Sequence, residues 1–532
     1  MDDTDADTMR QYHDMVGPGG LMKKIIPGYR GELWCAAVLL LVSFAFFLIN
    51  ITHEQLWCDE AFSLFFSTGN VATILRNVGF DGTEFHPPLY HLVLAAIRVF
   101  FGNSIVILRG FSALCGGALV AVVYLFSREL FGHRTAVATS MLLIINPIVV
   151  AFSQELRMYM PATLLVSVNI FSLYRAVRGE RENRSGRYWI AYTVTAIMGV
   201  YTHYYFFMTF FVVLVYMASE VLGTDMATRM RRRIISRYLL SQVTVIAAFI
   251  PWVGAIVKQR HETTLAPWFE SADAAAPLKI IGYFYTTKFS YNVNVVPYYA
   301  MAVGICLIVV YGIWTVIRSK KNYGKLVLPV AGFFVPVIVS WLFSIRNPSV
   351  LNFRYFVLYF PFLAILTANG VVAVPVKKVS AGILVVILAV SAVPVVNVFK
   401  QNFNGSGRDA ADFLKQNSMW SEPIISVDNA IYATLLLYLN RRKNLFYYSP
   451  VDLPACFGVN IRRTTFIVGE KIRDVIEPQK SFFLVMSPGT KMLLEEFKVK
   501  FPEFEIDTAV PQKIFQFKYS WLRIRIVRFI RR

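Results

Sequence analysis

Pro87-Pro88-Leu89-Tyr90-His91-Leu92-Val93-Leu94-Ala95-Ala96-Ile97-Arg98-Val99-Phe100-Phe101 is the second apolar run of a 532-residue chain. Whether it crosses a membrane decides how everything after it is laid out. The run has 15 residues and carries His91 and Arg98, whereas roughly 20 apolar residues are needed to cross about 30 Å of hydrocarbon. If it crossed, the basic loops Arg128–Arg134 and Arg175–Arg187 would lie opposite Lys23, Lys24 and Arg30, against the positive-inside rule. If it is instead re-entrant or interfacial, Arg128–Arg134, Arg175–Arg187, Arg229–Arg237, Arg318–Lys325 and Lys377–Lys378 all fall inside, in strict alternation. The second arrangement is the one the charges favour.

It predicts spans over 34–50, 105–127, 135–151, 158–175, 188–204, 206–223, 238–257, 296–317, 326–344, 355–375 and 380–398, about eleven crossings in all. The expected division is a cytoplasmic N-terminal tail over 1–33, a transmembrane domain over 34–399 and an extracytoplasmic domain over 400–532. The run Trp34–Asn50 lacks an A-x-A-like cleavage site, so it reads as a retained span of a multi-pass protein of the cell membrane.

Composition agrees. The chain is 56% hydrophobic and 15% aromatic, with a mean hydropathy of +0.52, which excludes an ordinary soluble globule. A net charge of +20 would suit a nucleic-acid partner, but the cations sit in short loops between apolar runs, so none is expected. Five cysteines form no Cys-x-x-Cys pair, and neither a zinc site nor a disulfide framework follows. After Lys400, β-rich runs at Pro423–Asp428, Thr465–Gly469, Ser481–Ser487 and Lys513–Lys518 alternate with helical patterns, predicting a small α/β domain. The alternating tail Trp521–Arg532 fits either an edge strand or a membrane-surface contact.

The candidate chemistry collects on the predicted outer side. Asp59 and Glu60, in Leu56-Trp57-Cys58-Asp59-Glu60-Ala61, follow the first span. Carboxylates at a bilayer edge are costly without partners. Adjacent helical residues point about 100° apart, so one acid can take a proton from an acceptor hydroxyl while the other anchors the loop. His86, before Pro87-Pro88, lies at the start of the short helix, where a helix dipole suits a phosphate site. Ser153-Gln154-Glu155-Leu156-Arg157-Met158-Tyr159 brings a further acid and a cation, and Tyr201-Thr202-His203-Tyr204-Tyr205 adds polar and aromatic groups. Arg109 either snorkels or neutralises the acidic pair. His261, Lys288, Arg354 and Tyr355 fall in later outer segments, and cations there ask for an anionic partner such as a lipid phosphate.

Taken in order, Asp59-Glu60, His86-Pro87-Pro88-Leu89-Tyr90, Phe101-Gly102-x-Ser104, Arg109-x-x-Ser112, Asn146-Pro147, Ser153-Gln154-Glu155-x-Arg157-Met158-Tyr159 and Arg354-Tyr355 resemble the GT-C glycosyltransferases. The resemblance is to the branch of dolichyl-phosphate-mannose protein mannosyltransferases and lipid A aminoarabinose transferases, the prokaryotic family 39 type. It implies a polytopic α-helical fold with interfacial helices in the first outer loop. It further implies inverting transfer of a sugar from a polyprenyl-phosphate donor to a hydroxyl of a glycan, lipid or protein.

In that resemblance Asp59 matches the catalytic base and Glu155 the second-loop acid, with Glu60 beside them. His86, Arg109, Arg157, Arg354, Tyr355, His261 and Lys288 are the candidates for the donor phosphate and lipid, and Tyr90, Tyr159, His203 and Tyr204 for the sugar and acceptor pocket. No cofactor or metal is implied, although some GT-C enzymes use a divalent ion and one stays open here. The competing readings are a transporter of lipid-linked sugars, a non-catalytic lipid-binding scaffold, and a polysaccharide polymerase or ligase on the same carrier. Transporters place ionisable groups near the midplane and show repeats; here the charges cluster at one face.

Overall fold

The computed structural model describes residues 27–81, 84, 86–180, 185–223, 226–263, 272–286, 295–319, 324–346, 349–400, 406–417, 422–439, 444–449, 466–468, 471–486, 491–510, 512–516 and 523–532. Helix α1 (Pro27–Phe47) leads into a loop and α2 (Cys58–Phe66), then α3 (Val71–Arg76) and α4 (Leu89–Phe101). The bundle continues with α5 (Ile105–Phe131), α6 (His133–Ile144), α7 (Pro147–Ser153), α8 (Tyr159–Gly179) and α9 (Gly186–Val200). Next come α10 (Met208–Gly223), α11 (Thr228–Phe249), α12 (Val253–Thr263) and α13 (Ala276–Thr286). It closes with α14 (Val295–Arg318), α15 (Gly324–Arg346), α16 (Phe360–Val372) and α17 (Lys377–Lys400).

Among the described residues eight helices are long and apolar enough to cross a membrane, or nine if α6 and α7 form one bent span. The eleven predicted crossings are thus not all matched: 34–50, 135–151 and 188–204 are not among the eight. Helix α1 has 21 residues, and α9 has 15. Helices α6 and α7 meet at 61° because Asn146 caps α7 through the backbone N–H groups of Ile148 and Val149 (3.0 and 3.1 Å), with Pro147 in its first turn. The decisive stretch forms α4, 13 residues long and so about 20 Å from end to end. It stops at Gly102, whose φ of +79° suits glycine.

The bundle is tightly packed inside and apolar outside. Gly117 on α5 lets α1 approach, since a Cβ there would lie 2.9 Å from the Leu40 carbonyl oxygen. Large hydrophobics such as Leu307, Val310, Val385 and Val393 stay exposed on α14 and α17; in lipid that is the ordinary state of a spanning helix.

Residues 406–532 form a separate small sheet domain. Its elements are α18 (Ser406–Asn417), β1 (Ile424–Ser426), α19 (Asn429–Tyr438), β2 (Leu445–Ser449), β3 (Phe466–Val468) and α20 (Ile472–Ile476), followed by β4 (Ser481–Met486), α21 (Lys491–Lys500), β5 (Phe504–Ile506), β6 (Lys513–Gln516) and β7 (Arg523–Arg531). The strand order is β3-β2-β1-β4-β7-β5, with β6 also on β7. Strands β1 to β4 pair in parallel, an arrangement that needs crossover connections; α19 lies between β1 and β2 and α20 between β3 and β4. β7 runs antiparallel to β4 along one edge and to β5 and β6 along the other. The tail is therefore an interior strand, neither of the two alternatives read from its pattern. Its Arg528 explains how a basic strand can be interior: the guanidinium donates to Glu422 (2.5 Å) and Asp507 (2.9 Å).

Candidate active site

The site grows from the start of α2. Trp57 precedes the helix in extended conformation, and its backbone N–H reaches back to Glu60 Oε2 at 3.4 Å, so the acid closes the first turn. Glu60 is then held from the bundle. Arg109 on α5 donates through Nε to Oε1 (2.8 Å) and through Nη2 to Oε2 (2.7 Å), a two-pronged pair. The same guanidinium donates to the carbonyls of Ile51 and Glu54, both at 2.8 Å. The Leu156 N–H adds a bond to Glu60 Oε1 at 2.8 Å. Both side chains are sealed, with 1% and 2% exposure for Glu60 and Arg109.

Asp59 turns the other way. Its side chain is 28% exposed, and its Oδ2 lies 3.4 Å from Nη1 of Arg354 in the 3₁₀ turn Phe353–Tyr359 before α16. The Arg354 guanidinium also sits 4.9 Å from the Trp57 ring centre, a cation–π contact that fixes its plane. Trp57 Nε1 donates to Glu155 Oε1 at 3.0 Å, so the second-loop acid joins the same wall.

Beneath lies a second cluster built around Glu84. Its Oε1 is 2.5 Å from His86 Nδ1, and its Oε2 is 3.6 Å from His91 Nε2 and 3.9 Å from Arg157 Nη1. Arg157 also donates to the Asp59 carbonyl and Ser63 Oγ, each at 3.1 Å, and so ties the two clusters together. Glu84 is the residue sequence reading missed. The available signal was its place two residues before His86, a spacing at which an acid can hold an imidazole.

Aromatic and imidazole rings complete the cluster. Tyr355 lies 4.9 Å from His203, 6.3 Å from His86 and 6.4 Å from Tyr159 between ring centres, and His86 and His203 are 5.0 Å apart. Burial, reinforced by Arg157, holds His86 well below the usual imidazole range, against the pull of Asp59. Burial does the same to His203, helped by His86 and Arg157, and brings His91 down to about 4.

Of the expected residues, Asp59, Glu60, His86, Arg109, Glu155, Arg157, Tyr159, His203, Arg354 and Tyr355 converge at one end of the bundle. Glu60 and Arg109, expected as a catalytic acid and a phosphate ligand, satisfy each other and the loop backbone instead. Tyr90 is buried among Leu94, Leu108, Leu156 and Met158 behind the site. Tyr204 donates to Gln259 Oε1 (2.6 Å) and accepts from Trp252 Nε1 (3.0 Å), while Gln259 Nε2 donates to the Glu84 carbonyl (2.9 Å); Tyr204 is thus a support one step removed. The side chain of His261 and all of Lys288 lie outside the described residues. Among the described residues no group of three or more His, Cys, Asp or Glu side chains has the geometry to hold a metal ion.

This arrangement can be set beside known proteins. Residues 85–254 match the family model described as dolichyl-phosphate-mannose-protein mannosyltransferase. No curated protein sequence matches the chain. Among solved structures it is similar to ArnT from Cupriavidus metallidurans in the apo state, with a TM-score of 0.60 at 15% identity over 92% of this chain and 97% of that one. The same protein bound to undecaprenyl phosphate gives 0.60 at 16% identity, over 94% and 98%. The archaeal oligosaccharyltransferase AglB from Archaeoglobus fulgidus, in complex with an inhibitory peptide and a dolichol-phosphate, gives 0.50 at 12% identity, over 86% and 70%. The chain is a multi-pass membrane protein with the GT-C glycosyltransferase fold.

Proposed function

We propose that this protein is an inverting glycosyltransferase that moves a sugar from a polyprenyl-phosphate donor to an acceptor hydroxyl at the outer face of the membrane. Asp59 is the general base. The observation that carries the reading is the contrast within the acidic pair: Glu60 is sealed by Arg109, while Asp59 is partly exposed beside Arg354.

In the reaction, the acceptor oxygen attacks the anomeric carbon from the face opposite the phosphate, and Asp59 takes its proton. The bond from that carbon to the phosphate oxygen breaks, and the electron pair leaves with the polyprenyl phosphate. Arg354 stabilises the charge building on it. His86, Glu155 and Arg157 shape the polar wall, and Tyr159, His203 and Tyr355 offer ring faces and polar edges to a sugar. The alternation of basic loops supports a cytoplasmic N-terminus and an extracytoplasmic C-terminal domain.

Purified protein in detergent, incubated with a panel of polyprenyl-phosphate sugars and with glycan, lipid or peptide acceptors, tests the reading. Transfer by the wild type and none by Asp59→Asn, with donor binding retained, is expected. Full transfer by Asp59→Asn removes Asp59 from the role, and transfer with no donor in the panel removes the function.

A further inference from the structure

The helix that carries Asp59 is held from two sides, and only one of them belongs to the bundle. On the bundle side Arg109 grips Glu60 and the carbonyls of Ile51 and Glu54. On the other side stands the C-terminal domain. The Tyr438 hydroxyl, at the end of α19, accepts from the Leu56 N–H at 2.7 Å and lies 3.3 Å from the Leu56 carbonyl, to which it donates. Gln55 Oε1 accepts from the backbone N–H of Arg408 at 2.9 Å, and the Arg408 guanidinium lies 5.4 Å from the Tyr438 ring centre. Ala61, fully buried, belongs to the apolar core of that domain together with Ala410, Leu414 and Leu435. At the domain's entry, Asn50 Nδ2 donates to the Phe399 carbonyl (3.3 Å), and His53 Nε2 lies 3.0 Å from the Lys400 carbonyl.

We propose that the C-terminal domain is a clamp that sets the position of Asp59, with Tyr438 and Gln55 as positioning residues acting through the Leu56 backbone and the start of α2. The physical case is one of leverage. Leu56 is three residues from Asp59, and its N–H and C=O precede the helix, where no intrahelical partner is available. A single hydroxyl serving both groups fixes the direction in which α2 starts. The burial of Ala61 within the domain then fixes its roll, which decides that Glu60 faces Arg109 and Asp59 faces Arg354. Reactive geometry is sensitive at this scale: a displacement of about 1 Å can lower turnover by about 10²-fold.

The inference rests on the proposed transferase reading, and the test separates the two. Tyr438→Phe and Gln55→Ala each remove one polar group, keep the fold's apolar contacts, and lie outside the reacting groups. Each is expected to lower kcat about tenfold while leaving the donor KM and the thermal midpoint of the detergent-solubilised full chain unchanged. Amide exchange over residues 51–60 should quicken in both variants, with exchange in α5 and α8 unaltered. Wild-type kcat in both variants overturns the clamp. So does a fall in kcat accompanied by a matching rise in KM and a lowered midpoint, which marks a general loss of structure. If the wild type transfers no sugar, the functional reading fails and exchange alone decides: faster exchange confined to 51–60 supports the clamp, and unchanged exchange overturns it.

Discussion

Glu60 and Asp59 are neighbours in sequence and opposites in structure. The first is buried against a two-pronged arginine and two backbone N–H groups; the second is partly open, with a 3.4 Å contact to an arginine that is itself partly exposed. Burial separates their roles. A carboxylate whose lone pairs are filled by fixed donors has nothing left for a substrate, and removing its partner leaves an uncompensated charge. One that keeps solvent access can exchange its partner for a ligand. The same distinction divides the arginines, Arg109 as an internal strut and Arg354 as a partly exposed counter-charge.

The contrast breaks hardest at Arg109. Arg109→Ala should destabilise the protein by about 3–5 kcal/mol, the cost of leaving one member of a buried pair alone. Thermal unfolding in detergent reads this, and a wild-type midpoint would mean Glu60 is not held as described. Asp59→Asn should do the reverse, cutting transfer by about 10²-fold or more with the unfolding midpoint within a degree or so of wild type. Arg354→Ala should weaken binding of a polyprenyl-phosphate donor by about tenfold, the loss of one charge-assisted contact. Isothermal titration measures it, and unchanged affinity would detach Arg354 from the phosphate.

The smallest effect concerns pH. His91 has a folded pKa of about 4, below the usual value of 6.5, because burial disfavours its charged form. The unfolded chain therefore binds more protons there, so the stabilisation is fully present above pH 6.5 and is lost as pH falls from 6.5 towards 4. In His91→Asn the unfolding midpoint should decline less steeply across that window than in the wild type; equal slopes would remove His91 from the acid sensitivity.

Much of this was legible in the chain. Run lengths and basic loops gave the helical bundle, and the shortness of Pro87–Phe101 followed directly from the distance a helix of that length can cover. The motifs around Asp59, His86, Glu155 and Arg354 named most members of the site. The pattern after Lys400 located β1, β3, β4 and β6, because strands of a small sheet announce themselves by local apolar runs. Less legible were β2 and β5, too short or too flanked by polar residues to stand out. The bend between α6 and α7 hid behind a single apolar run broken only by Asn146-Pro147.

By itself the sequence determined that the chain is membrane-spanning, and which residue types gather at one end of its helices, since hydropathy and charge act locally and can be read residue by residue. Only tertiary structure decided which acid is sealed and which stays partly exposed, that Glu84 organises the imidazoles, and that the C-terminal strand is interior. The bonds responsible join residues 49, 295 and 382 positions apart, in Glu60–Arg109, Asp59–Arg354 and Leu56–Tyr438. Helical periodicity fixes the angle between neighbouring side chains, but the partner that meets each one is chosen by packing across the fold.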